Sequence, residues 1–121
     1  MEPDPRRLFF KDFQKFIDKC HANNEELIIG IDANDTDNEG TDLNGFLMEN
    51  DLVDAFRHLH PDTTPPHTYQ QSSNRLDYIF VTPALTPALK ASGFLPFNVP
   101  FFSDHGALFA EFDKTILFMG E

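Results

Sequence analysis

The sequence predicts a single α+β domain in which mostly antiparallel sheet packs against flanking helices. Three patterns favour this class: an amphipathic helix at the start, a short apolar run after it, and several short strand patterns separated by turns in the second half. A chain of 121 residues is long enough for one domain. Its 40% hydrophobic residues are enough for a core, so disorder of the whole chain is not expected.

The opening helix is predicted between Pro5 and about His21. Proline suits the first turn of a helix because its missing N–H would have no partner there. The positions predicted to face the core recur at three- and four-residue steps and are Leu8, Phe9, Phe13, Phe16, Ile17 and Cys20. Cys20 is the single cysteine, so an intrachain disulfide and a cysteine-based zinc cluster are excluded. We expect Cys20 to be a plain, partly buried residue.

The remaining elements follow from apolar runs and structure-breaking residues. Residues 27–31 form an apolar run short enough for a buried central strand, and a polar loop follows to about Thr41. Prolines make 60–68 a loop. The other predicted elements are helices or turns at 42–50, 52–59 and 83–90, paired strands at 67–70 and 75–82, and strands at 91–97 and 107–112.

Charge is spread unevenly along the chain. The formal net charge is −11, whereas proteins that grip DNA through its phosphates usually present a basic surface. Five of the nine basic residues lie in the first 19 positions, and they are Arg6, Arg7, Lys11, Lys15 and Lys19. Between Cys20 and Phe56 there are ten Asp or Glu and no Lys or Arg. Such an acidic block is either a solvated loop or a loop that holds a cation.

No segment predicts a membrane span or a secretory signal. No apolar run approaches the roughly 20 residues that a spanning helix needs. The opening residues MEPDPRRLFFKDF lack the uninterrupted apolar core of a signal peptide. We therefore expect an intracellular protein without a membrane partner.

Polar residues interrupt apolar patterns at three places. Asp77 shares a strand face with Ile79 and Val81, which costs several kcal/mol if the carboxylate is buried and unpaired; the alternative is that Asp77 lies at the solvated end of the strand. Asp32 ends an apolar strand, and Asn34 follows two residues later. The two residues either belong to a functional site at the end of the strand or were selected for the geometry of a polar turn. The third place is the triplet Ser103, Asp104 and His105, where the histidine is either structural or catalytic.

The order of these residues resembles a known family. GIDAN at 30–34 is similar to a Gly-Asp-x-Asn motif with Ile31 inserted, and HTY at 67–69 to a Thr-Tyr strand. RLDYIFV at 75–81 and SDHGAL at 103–108 match an Arg-Leu-Asp-Tyr strand and a closing Ser-Asp-His motif. Together they resemble, over about 27–113, the C-terminal half of an endonuclease/exonuclease/phosphatase domain, the deoxyribonuclease I-like family of metal-dependent phosphodiesterases.

The resemblance implies a fold and an activity. The fold would be half of a four-layer α/β/β/α sandwich, with residues 1–121 as a single partial domain. The activity would be metal-dependent phosphodiester hydrolysis with Mg²⁺ or Mn²⁺, on nucleic acid or on another phosphodiester or phosphate substrate. Intact relatives include the endonuclease domains of retroelements. Arg75 is left outside the catalytic set, because either a phosphate contact or a salt bridge at the strand edge would explain it.

The resemblance also implies a role for each site residue. Asp32 would position the attacking water and, with Asp104, hold the metal. Asn34 and His105 would contact the phosphate, and Asp77 would orient the His105 ring. A neighbouring carboxylate favours the protonated imidazole, so we expect a raised pKa of His105.

The principal metal-binding Glu of the family has no counterpart in this sequence. We therefore expect activity to be impaired in the chain alone, and either self-association or a complementing N-terminal half. Two alternatives remain: a non-catalytic remnant or interaction module, and a calcium-binding loop. For the latter, Asp35, Asp37, Glu39 and Gly40 fit the spacing of an EF-hand loop, but Phe46 stands where the bidentate Glu should be.

Overall fold

In the part of the chain that the structure describes, helices alternate with the strands of two antiparallel sheets, which confirms the predicted α+β class with flanking helices. A computed structural model describes residues 4–70, 74–95 and 106–118. The elements in order are α1 (Pro5–Ala22), β1 (Ile28–Asp32), α2 (Asp42–Asn50), β2 (Val53–Asp54), α3 (Ala55–Leu59), β3 (Asp77–Val81), a 3₁₀ helix (Pro83–Ala88), β4 (Leu89–Phe94), β5 (Leu108–Phe112) and α4 (Lys114–Leu117). Within these described ranges, no helix is both long and apolar enough to cross a membrane.

The first sheet has the order β1-β3-β2, and both of its pairings are antiparallel. Two predictions fail here. The run at 27–31 was expected to be a central strand, but β1 is an edge strand of this sheet as described, and β3 lies at the centre. Residues 67–70 were expected to pair with 75–82, but they form no strand beyond a bridge at Tyr69, because β3 pairs with β1 and β2 instead.

Strand β3 separates two cores. Tyr78 and Phe80 stack on each other with ring centroids 5.2 Å apart and belong to the core that α1 and α2 cover. Ile79 and Val81 point to the other side, into a core shared with the second sheet, β4-β5. The described chain therefore has three layers: helices α1 and α2, the first sheet, and the second sheet.

Helix α1 ends within one residue of its predicted end. It buries Ile17 and Cys20 as predicted, but its buried face is shifted toward Phe10 from the one expected. Phe10, Ile17 and Cys20 are buried and Phe13 is half-buried. The Phe10 and Phe13 rings contact the Phe46 ring of α2 at 5.0 and 5.4 Å between centroids. The residues that were expected to face the core but are exposed are Leu8, Phe9 and Phe16. The helix is rotated because contact with α2 favours the face centred between Phe10 and Phe13.

The second sheet covers only part of the first. Directly opposed residues of an antiparallel pair lie on the same face, so Ile28 shares the inner face with its partner Val81. Val81 is fully buried, whereas Ile28 is 48% exposed. Gly30, opposite Ile79 on the same face, is exposed as well. The inner face of β1 is thus an uncovered surface beside a packed one.

A buried ion pair fixes the start of β3. The Arg75 guanidinium donates to both oxygens of Asp54, at 2.5 and 3.1 Å, and the two side chains are 7% and 9% exposed. The guanidinium also lies 4.4 Å from the centre of the Tyr78 ring. Asp54 caps α3 by accepting from the N–H of Phe56. Arg75 was expected to make either a phosphate contact or a salt bridge, and in the structure it forms the salt bridge.

Replacement of Asp54 by Asn tests this ion pair. Asn keeps the helix cap, because its side-chain oxygen also accepts from backbone N–H groups, but it leaves the buried Arg75 charge without its partner. We expect the free energy of unfolding to fall by about 3 kcal/mol, measured by urea denaturation. Asp51→Asn removes the same charge from an exposed position and should change stability by less than about 0.5 kcal/mol. Equal effects of the two substitutions would contradict a structural role for the pair.

Candidate active site

Asp32 and Asp77 lie directly opposite each other. They are the last residue of β1 and the first residue of β3, and they are partners in the antiparallel register. Their side chains therefore share one face at one end of the sheet, where directly opposed Cβ atoms are about 5 Å apart. Asp32 is exposed and Asp77 is half-buried. Two of the predicted site residues are brought together by a single strand pairing.

Ile31, which interrupts the family-like motif, has a place on the opposite face. It pairs with Tyr78 and packs against the core beneath α1 and α2. Because successive side chains of a strand alternate, the packing of Ile31 turns Asp32 toward the inner face. The extra residue therefore does not remove the carboxylate from the face on which Asp77 lies.

Asn34 is held beside Asp32 by a tight turn. Its N–H donates to the Asp32 Oδ1 at 3.1 Å, and the preceding Ala33 N–H donates to the Leu76 carbonyl at 2.8 Å. Asn34 has a positive φ of 48°, a left-handed conformation that asparagine tolerates better than most residues. Its side chain is exposed at the same end of the sheet. The structure therefore places Asn34 beside Asp32, at the end of the sheet where β3 begins with Asp77.

Thr68 connects three segments at this end of the sheet. Its hydroxyl accepts from the N–H groups of Leu76 and Asp77, at 2.7 and 3.0 Å. Its own N–H donates to the Asn74 carbonyl, and its carbonyl accepts from the Gly106 N–H at 2.7 Å. The residue is fully buried. Sequence reasoning matched Thr68 to a motif but gave it no role, since a threonine in a proline-rich loop carries no local signal of such contacts.

The Gly106 contact lies at the end of the Ser-Asp-His motif. Gly106 directly follows that motif in the sequence, and its hydrogen bond to Thr68 ties it to the residue that supports Asp77. The two remaining predicted site residues, Asp104 and His105, lie outside the described residues.

The acidic loop after Asn34 is engaged by protein groups. Asp35 accepts from the Leu43 N–H at 3.2 Å, at the first turn of α2. Asp37 accepts from the Arg57 guanidinium at 2.9 and 3.3 Å, and this hydrogen bond raises the pKa of Arg57. Burial, followed by the charge of Asp37, raises the pKa of Tyr78. These contacts favour a structural role for the Asp35 and Asp37 carboxylates over a calcium loop.

A cleft of about 420 Å³ opens at Asp32 and Asn34, with the first turn of α1 forming its other wall. Its lining residues are Asp4, Pro5, Arg6, Phe9, Asp32, Ala33 and Asn34. In the sequence Arg6 stands out only as part of a basic segment, because no local pattern indicates that the first turn of α1 lies beside the end of β1.

Over the described ranges, no group of three or more His, Cys, Asp or Glu side chains could hold a metal ion.

The arrangement consists of two opposed carboxylates, an adjacent amide and a cleft with one guanidinium. No known family model and no curated protein matches this chain.

Removal of the Thr68 hydroxyl tests its supporting role. In Thr68→Val the N–H groups of Leu76 and Asp77 lose their acceptor, so we expect a loss of about 2 kcal/mol in the free energy of unfolding. Hydrogen exchange at these two amides should also accelerate. Thr68→Ser keeps the hydroxyl and is the matched control. If valine and serine gave the same stability and the same exchange rates, the hydroxyl would not support the start of β3.

Proposed function

We propose that this chain carries the second half of the active site of a metal-dependent phosphodiester hydrolase of the endonuclease/exonuclease/phosphatase type. The observation that carries the proposal is the pairing of Asp32 with Asp77 on one face at one end of the sheet. Two like charges directly opposed on a strand pair repel each other. Such a placement is explained when the pair serves a site that binds cations or protonated groups.

A divalent cation fits this donor set in part. Mg²⁺ and Mn²⁺ prefer hard oxygen ligands, and Asp32 offers an exposed carboxylate beside the cleft. In the proposed site Asp32 and Asp104 would hold the metal, and a complementing half would supply a further carboxylate. The cation, when bound, neutralises phosphate charge and favours ionisation of water.

The other residues position the substrate and move protons. Asn34 lies in the cleft with Asp32, where an amide can donate to a phosphate oxygen. In the proposed site His105 contacts the scissile phosphate, and Asp77 accepts from the ring N–H to hold the imidazole in one tautomer. The hydrogen bond from Gly106 to Thr68 supports this pairing, because Thr68 also binds the N–H of Asp77.

The layer order supports the proposed half-sandwich. Helices, a first sheet and a second sheet follow each other as three layers, and the inner face of β1 is uncovered at Ile28. In the proposed complete domain, further strands cover that face. They are supplied by a complementing N-terminal half or, in its absence, by a second copy of the chain.

A second candidate is a non-catalytic interaction module. Apolar side chains that usually lie in cores are exposed on α1, at Leu8, Phe9 and Phe16, and on β1 at Ile28. Exposed apolar groups of this kind favour contact with another chain. This candidate requires no role for Asp32 or Asp77.

Hydrolysis of phosphodiesters separates the two candidates. We expect slow cleavage of supercoiled plasmid DNA or of bis(p-nitrophenyl) phosphate that requires Mg²⁺ or Mn²⁺. Asp32→Asn and Asp77→Asn should each reduce the rate by about 100-fold or more, because they remove groups that activate water or orient the histidine. Gel analysis of the plasmid and the absorbance of nitrophenolate measure the two reactions.

The control is Asp62→Asn, an exposed carboxylate of the proline-rich loop, which should leave the rate unchanged. A wild-type chain that cleaves neither substrate with either metal would overturn the proposal in favour of the interaction module. Cleavage that survives both site substitutions would overturn the assignment of the residues.

A further inference from the structure

The cleft beside Asp32 contains a positively charged side chain that no part of the proposed mechanism uses. Arg6 lines this cleft together with Asp32 and Asn34, although 28 positions separate Arg6 from Asn34 in the sequence. Among the described residues that line the cleft, Arg6 is the only cation. Helix α1 and strand β1 run in opposite directions, which brings the first turn of the helix to the end of the strand.

Arg6 is held at the cleft by contacts that leave donors available. Its Nη2 donates to the Asn34 carbonyl at 2.9 Å, and its Nη1 lies 3.8 Å from the Asp35 carboxylate. The side chain is 42% exposed. A guanidinium has five N–H donors in a planar fork that matches two oxygens of a phosphate, and one of them is used by the Asn34 contact. Arg6 is therefore oriented by the protein and open to a ligand.

We propose that Arg6 is a substrate-binding residue that donates to a phosphate of the nucleic-acid backbone in the same cleft as Asn34. This inference rests on the proposed function and extends it, since it names a phosphate contact on α1, outside the segment that resembles the family. Arg6 lies in the first turn of α1, and through this residue the basic segment of α1 reaches the cleft.

The charges of the cleft make this contact metal-dependent. Asp4, Asp32 and the Asp35 carboxylate beside Arg6 bring three negative charges and Arg6 brings one positive charge, so an anionic backbone is repelled on balance. A divalent cation held at Asp32 would cancel the two excess negative charges, and the Arg6 fork would then contribute to binding. The Arg6 contribution should therefore be present with Mg²⁺ and small without it.

The adjacent residue of α1 provides a matched control. Arg7 has the same side chain on the same helical turn, but it is 76% exposed, lies 3.9 Å from Asp42 and lines the groove between α1 and α2 instead of the cleft. The same substitution at positions 6 and 7 removes the same charge from the helix. A difference in DNA binding between the two variants therefore depends on where the lost charge lies, and not on the loss of a charge from the helix.

Binding of a short fluorescein-labelled DNA duplex, followed by anisotropy over a range of salt concentrations with and without Mg²⁺, tests the inference. In Mg²⁺ we expect Arg6→Gln to weaken binding and to reduce the slope of log K against log salt by about one, as one lost phosphate contact requires. Arg7→Gln should keep the wild-type slope. Arg6→Lys should restore the slope but only part of the affinity, since lysine keeps the charge and loses the fork.

The outcomes distinguish the inference from the function on which it depends. An unchanged slope in Arg6→Gln, or an equal fall in Arg7→Gln, would overturn the role of Arg6 while metal-dependent cleavage by the wild type still supported the hydrolase. A purely structural role of Arg6 would lower the unfolding temperature without changing the slope, which also counts against the inference. A wild-type chain without Mg²⁺-dependent binding and without cleavage would overturn both.

Discussion

The antiparallel register between β1 and β3 is the constraint on which the rest of the site depends. Ile29 and Ile31 pack with Phe80 and Tyr78 on the side of the helices, and this packing fixes the register. A slip by one residue would exchange the two faces of the strand, which would bury the Asp32 carboxylate among aromatic rings and expose isoleucine. The hydrophobic core thus determines that Asp32 faces the same side as Asp77.

The start of β3 is held from both sides before the strand begins. Arg75 is anchored by its buried ion pair with Asp54, and the Thr68 hydroxyl binds the next two backbone N–H groups. In the proposed site Asp77 orients an imidazole, and such support suits that role because a functional group held by packed and hydrogen-bonded neighbours keeps its geometry. The same threonine binds Gly106, so one buried residue links Asp77 to the segment that follows the proposed catalytic histidine.

Local patterns in the sequence predicted the elements whose signals are local. The bounds of α1 and α2 follow from a first-turn proline and from apolar spacing, and the end of β1 follows from Asp32, which terminates its apolar run. Pairing could not be predicted in the same way: an apolar run such as 27–31 indicates a strand but not whether it is central or at an edge. The contacts of Asp54 and Thr68 were missed because they join segments that only the fold brings together. Asp104 and His105 remain predictions, since they lie outside the described residues.

We propose that Asp77 and His105 form a pair at the end of the sheet, and titration of the His105 imidazole by NMR is the sharpest test of this pair. A carboxylate beside the ring stabilises the protonated form, so we expect a higher pKa of His105 in the wild type than in Asp77→Asn. His21 and His58, in α1 and α3, report in the same spectra whether the substitution acts more widely. The same pKa of His105 in both proteins would show that Asp77 and His105 do not form a pair.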